Sequence, residues 1–178
     1  MKQVTHKIYE IDELSKASQN KAYEQWYNSA DNFNLWAGDN IKALSDLCSC
    51  LCLGLVNYSL SNSDYPDYKD FIDIDCSYYE ACNSVAEIKD ILLGRLEDYD
   101  QGYYANMELY DFCKRQINLM SDIYNLDDFI NGLKATFKTI YYDDNKHHYS
   151  FNNFMESMRA NETLYYADGD IYTDRGQS

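Results

Sequence analysis

The chain has 178 residues, 46% hydrophobic and 16% aromatic, with 15 basic and 30 acidic side chains for a net charge of −15. That apolar share argues for a packed core rather than disorder, and the length predicts one domain over residues 1–178. The acidity disfavours direct binding of nucleic acid or an anionic membrane and favours a basic protein partner. No apolar run reaches the roughly 18 residues a membrane span needs. Residues 1–13 lack the apolar centre of a secretory signal, so a cytoplasmic location is expected. The six cysteines then read as reduced thiols.

Residues 4–9 alternate, with Val4, His6 and Ile8 on one side, and predict a short N-terminal strand. Asp12 or Ser15 suits the N-cap of a helix reaching about Tyr27, with Leu14, Ser18, Ala22 and Trp26 on its inner stripe. Residues 31–39, DNFNLWAGD, read as a loop or a short turn before a second helix over residues 40–48. Residues 51–60 shift to period two and predict a strand, with Gly54 as a candidate bulge. After a loop over residues 61–69, residues 70–79 predict a second strand, pairing with the first as an antiparallel hairpin. Ile72, Ile74, Cys76 and Tyr78 take one face of it, and Phe71, Asp73, Asp75 and Ser77 the other.

Ser84 and Glu87 form a capping-box pattern opening a helix to about Tyr99. Helices are expected over residues 106–125 and from about Leu126 to Tyr141, the latter with the cleanest 3.6-residue period in the chain. Residues 143–149, DDNKHHY, read as a polar turn, and Ser150 as the cap of a short helix bearing Phe151, Phe154, Met155 and Met158. Asp168-Gly169 between apolar runs predicts a type I′ hairpin, with Leu164 and Tyr166 facing the same side as Ile171 and Thr173. The expected fold is α+β, five to six helices packed with a small antiparallel sheet.

Charge is concentrated in the middle of the chain, where residues 57–112 hold 13 acids against 3 bases. Within it, DYPDYKDFIDIDCSYYE at residues 64–80 interleaves carboxylates with tyrosines around the single proline. Such a surface imitates the charge train of a nucleic-acid backbone and attracts a groove lined with Lys and Arg. Tyrosine adds contact area at low entropic cost. The candidate partner-binding residues are Asp64, Tyr65, Asp67, Tyr68, Asp70, Phe71, Asp73, Asp75 and Glu80. Phe71 shares the outward face with the aspartates, which marks an interface more specifically than charge does. A solvated acidic face without a partner is the competing reading.

No pattern establishes catalysis. Cys48, Cys50 and Cys52 invite a metal, but zinc needs a fourth ligand and no second CxxC is present, so they read as structural thiols. His147-His148 reads as exposed. The DID triplet at residues 73–75 matches the start of a calcium loop, yet Tyr78 and Ser84 stand where glycine and glutamate are required. No catalytic residue, cofactor or metal is expected.

Residues 9–26, YEIDELSKASQNKAYEQW, and residues 159–172, RANETLYYADGDIY, together with FIDID at residues 71–75, resemble a group of small acidic phage and prophage proteins. Those carry an Asp-Glu-Leu-Ser helix near the N-terminus and an Asn-Glu hairpin at the end. The resemblance implies phage or prophage origin, and some similar proteins are anti-CRISPR inhibitors of Cas nucleases; the expected function is a counter-defence protein, an anti-CRISPR that inhibits a Cas nuclease by stoichiometric binding. Its partner would be a basic nucleic-acid-binding protein or ribonucleoprotein. The alternative is a non-enzymatic phage accessory or antitoxin-like protein that binds a different basic partner.

Overall fold

The computed structural model describes residues 7–61, 67–99 and 107–173. Among them lie six α-helices and two antiparallel pairs of strands, the α+β architecture expected. No helix among the described residues is long and apolar enough to cross a membrane. The chain divides into two compact units, Met1–Phe33 with Lys146–Ser178, and Asn34–Asn145. The first holds 10 acids and 7 bases, the second 20 and 8, so the second carries −12 of the −15.

In the first unit, strand β1 (Tyr9–Glu10) leads through a 3-10 turn, Ile11–Glu13, into helix α1 (Lys16–Tyr27). Ser15 caps α1 by accepting the Ser18 N–H, satisfying one of the donors a helix start leaves free. Helix α6 (Phe151–Ala160) is capped in the same way by Ser150. Strand β4 (Leu164–Tyr165) pairs with β1, Tyr9 opposite Tyr165 and Glu10 opposite Leu164. Ile11, Leu14, Ala22, Phe154, Met155, Met158 and Tyr165 form this unit's core. Of the strand predicted over residues 4–9, residues 4–6 lie outside the described residues, and pairing falls on Tyr9 and Glu10.

The C-terminal hairpin forms, but with a different turn. Gly169 N–H donates to the Tyr166 carbonyl, so Ala167 and Asp168 are the central residues, and among these only Gly169 has positive φ, at 94°. A type I′ turn needs two positive φ angles; this is a type I turn with the glycine as its bulge. The register therefore sends Tyr165 inward rather than Leu164 and Tyr166.

Helix α2 (Ala30–Cys50), most of it in the second unit, is continuous through the expected loop at residues 31–39. The poor helix formers there each cost below about 1 kcal/mol, and the helix is anchored further on by buried Leu44, Leu47, Cys48 and Leu51. Strands β2 (Gly54–Ser59) and β3 (Phe71–Asp75) pair antiparallel as predicted. The bulge falls between Leu55 and Asn57, at exposed Val56, while Gly54 pairs with Asp75. Helices α3 (Val85–Glu97), α4 (Met107–Leu119) and α5 (Leu126–His148) complete the unit.

Helix α3 begins at Ser84 as expected. Helix α4 stops six residues earlier than its predicted end, because Ser121 and Tyr124 exchange backbone hydrogen bonds. Asn125 then caps α5, its Oδ1 accepting the Asp127 and Asp128 N–H groups while Asp128 Oδ2 accepts that of Asn125. The predicted polar turn at residues 143–149 is instead the last turns of α5, with Lys146, His147 and His148 at the end where the helix dipole favours cations.

Candidate acidic docking face

The β2–β3 ribbon sorts the candidate residues into two sides. Directly opposed residues of an antiparallel pair share a face. Ile72 and Ile74 are buried, with Leu55 half-buried opposite Ile74. The outer face carries Phe71 opposite Ser59, Asp73 opposite Asn57 and Asp75 opposite Gly54. None of these β2 residues carries a charge to neutralise the acids. Phe71 is 44% exposed beside Asp73, on the outward face where the alternation placed it. Asp67, Asp73, Asp75 and Glu80 have no cation at ion-pair distance among the described residues. Asp75 accepts the Ser77 N–H at 3.0 Å and its hydroxyl at 2.9 Å, which holds the Asp75 carboxyl below the usual carboxylate value.

Those bonds also end the strand. The predicted continuation to Tyr79 is a 3-10 turn, Ser77–Ala81, because the Asp75 side chain captures the Ser77 amide in place of a ladder partner. As a result Tyr79 turns inward and donates to the Leu51 carbonyl at 2.5 Å, while Tyr78 faces solvent. Glu80 is exposed in the same turn.

Asp67 and Tyr68 form a turn leading into β3, closed by the Asp70 N–H donating to the Asp67 carbonyl at 3.0 Å. Tyr68 is 90% exposed, with Lys69 Nζ 5.3 Å from its ring centroid. Asp64 and Tyr65 lie outside the described residues.

Asp70 departs from expectation. It is 9% exposed, not a surface carboxylate. Its Oδ1 accepts the Ser61 N–H at 2.7 Å; its Oδ2 accepts the Ser61 hydroxyl at 3.0 Å, the Asp67 N–H at 2.5 Å and the Tyr142 hydroxyl. Lys138 Nζ donates to its carbonyl oxygen at 2.7 Å. Burial raises the Asp70 carboxyl, but the bonds from Tyr142, Asp67 and Ser61 outweigh it and hold the group below its ordinary value. Sequence reasoning missed Ser61, Lys138 and Tyr142. One signal was available: Asp70 shares the parity of Ile72 and Ile74, the inward side of the strand.

Cys48 is buried and its thiol is pushed up to about 12 by that burial. Cys50 Sγ donates to the Arg95 carbonyl at 3.1 Å. Cys52 sits past the end of α2 at φ 53°. Among the described residues no group of three His, Cys, Asp or Glu side chains is placed to hold a metal ion. Comparison with protein-family models, with curated proteins and with solved structures finds no match to this chain.

Proposed function

We propose that the protein acts by stoichiometric binding, docking an acidic, aromatic face on the basic groove of a nucleic-acid-binding protein or ribonucleoprotein. The observation that carries this reading is the outer face of β3, where exposed Phe71, Asp73 and Asp75 follow one another and none of the three faces a cation across the ribbon. The exposed part of the Phe71 ring beside unneutralised acids supplies the mixed apolar and anionic contact area that a basic groove can bury. Asp67, Tyr68 and Glu80 extend the face, and Asp70 is removed from it. The resemblance of both ends of the chain to small acidic phage proteins, some similar ones being anti-CRISPRs, supports a Cas effector as the partner and counter-defence as the role.

Purified Cas nucleases loaded with guide RNA supply the test. The expected result is that the protein blocks target cleavage by one of them, less effectively as salt rises, since exposed charges are screened within roughly 10 Å at 0.1 M salt. Replacing Asp67, Asp73 and Asp75 together by lysine is expected to abolish inhibition while the circular dichroism spectrum stays native. Full inhibition by that folded triple variant would remove the nucleic-acid-mimicking face from the mechanism.

A further inference from the structure

The geometry points to Asp70 as a positioning residue: its buried carboxylate sets the Asp67–Asp70 turn that presents Tyr68, and itself never meets the partner. This rests on the docking reading above and adds the device that holds part of that face in place.

Four donors converge on one carboxylate, from Ser61, from Asp67 and from Tyr142 on α5. They tie together three points of the chain 61, 67 and 142 residues along, so the turn is fixed to the helix and not only to its own strand. Lys138, one helical turn before Tyr142, holds the Asp70 carbonyl as well. Asp67 uses one carboxylate oxygen on the Lys69 N–H at 3.1 Å, which shapes the same turn from the inside. Its outcome is an aromatic ring projecting into solvent from a backbone that is pinned at both ends. An anchor that is already held loses less conformational freedom on binding than one that must be ordered by the partner.

A residue that touches a partner and one that only positions others differ in what their removal changes. The probe is a fluorescent ten-residue arginine peptide, whose affinity is read alongside amide hydrogen exchange at Ser61 and Asp67. Tyr142→Phe keeps every charge and deletes one donor. It is expected to speed exchange at both amides roughly tenfold and to weaken the peptide about threefold, with the slope of affinity against salt unchanged. Asp70→Asn should exceed it in exchange. Asp73→Asn, by contrast, should weaken the peptide and leave exchange at Ser61 and Asp67 as it was.

Unchanged exchange at both amides in the folded Tyr142→Phe protein would overturn the clasp. Faster exchange with unaltered affinity would overturn its part in docking. Failure of the unaltered protein to bind the peptide would overturn the docking reading and this inference with it, and the exchange rates would still report separately whether the clasp exists.

Discussion

The two strand pairs of this protein have the same pairing sense and opposite uses of charge. Beside β1–β4, Asp12 and the acids of the C-terminal hairpin are paired within their own unit. Lys21 bridges Asp168 at 3.0 Å and Asp170 at 2.8 Å, Gln25 donates to Asp170 at 2.7 Å, and Arg159 grips Asp12 with two bonds of 2.7 Å. Beside β2–β3, Asp73 faces Asn57 and Asp75 faces Gly54, and their charge is left to the solvent. The chain enters β2 and β4 by the same route. Helix α2 ends with Leu53 N–H on the Cys48 carbonyl and Cys52 N–H on that of Ser49; α6 ends with Thr163 on Met158 and Glu162 on Arg159. Each is a Schellman cap whose left-handed position, usually glycine, is filled by Cys52 or Glu162. Shared local geometry thus leads into one ribbon closed on itself and one that faces outward.

The sharpest way to break the first ribbon is Gly169→Ala. The added Cβ would lie 2.3 Å from the Ser18 carbonyl oxygen, a backbone atom of α1, at a φ of 94°. Both the clash and the backbone conformation oppose it, so a loss of about 3 kcal/mol or more is expected in urea unfolding. In the same assay Asp73→Lys on the second ribbon should move stability by no more than about 0.5 kcal/mol. Similar losses from the two substitutions would contradict the division between a closed and an open ribbon.

High pH tests what the ribbons have in common, tyrosines buried behind them. Burial is the largest cause that raises Tyr165, to about 12, and it raises Tyr79 and Tyr142 as well. Burial also raises the thiols of Cys48 and Cys113. The folded protein therefore keeps these protons after the unfolded chain has lost them. Their stabilisation is complete below the ordinary values of 9.0 for cysteine and 10.0 for tyrosine and is lost as pH rises beyond them. The melting temperature should be level near neutrality and fall from about pH 9 upward. Tyr165→Phe should blunt the fall at little cost near pH 7, because the buried Tyr165 hydroxyl has no hydrogen-bond partner among the described residues. A melting temperature that stays level to pH 11 would refute this account.

The smallest expected effect comes from the caps. Glu162→Gly relieves a left-handed residue and should raise stability by about 1 kcal/mol. Cys52→Gly should gain less, since the Cys52 side chain packs against the core of its unit. Loss of stability in Glu162→Gly would mean that its side chain contributes more than its backbone costs.

The sequence alone determined the parts whose causes are local. Ser15, Ser84 and Ser150 cap helices because a side-chain oxygen needs only a backbone N–H three residues on. The alternation of Phe71–Asp75 fixed which residues face out, and the inner stripe of α5 was readable from its period. Tertiary structure decided the rest. The continuity of α2 through residues 31–39 overrides weak local preferences, and the end of β3 depends on whether Asp75 turns to Ser77 or leaves the ladder intact. The fate of Asp70 was settled from 72 residues away, by Tyr142. A carboxylate's role is set by the donors around it, and donors that arrive from another helix leave no mark in the sequence beside it. Of the acidic stretch, the sequence determined its charge, its outward strand face and the inward parity of Asp70; only the folded chain supplied the donors that hold that carboxylate inside.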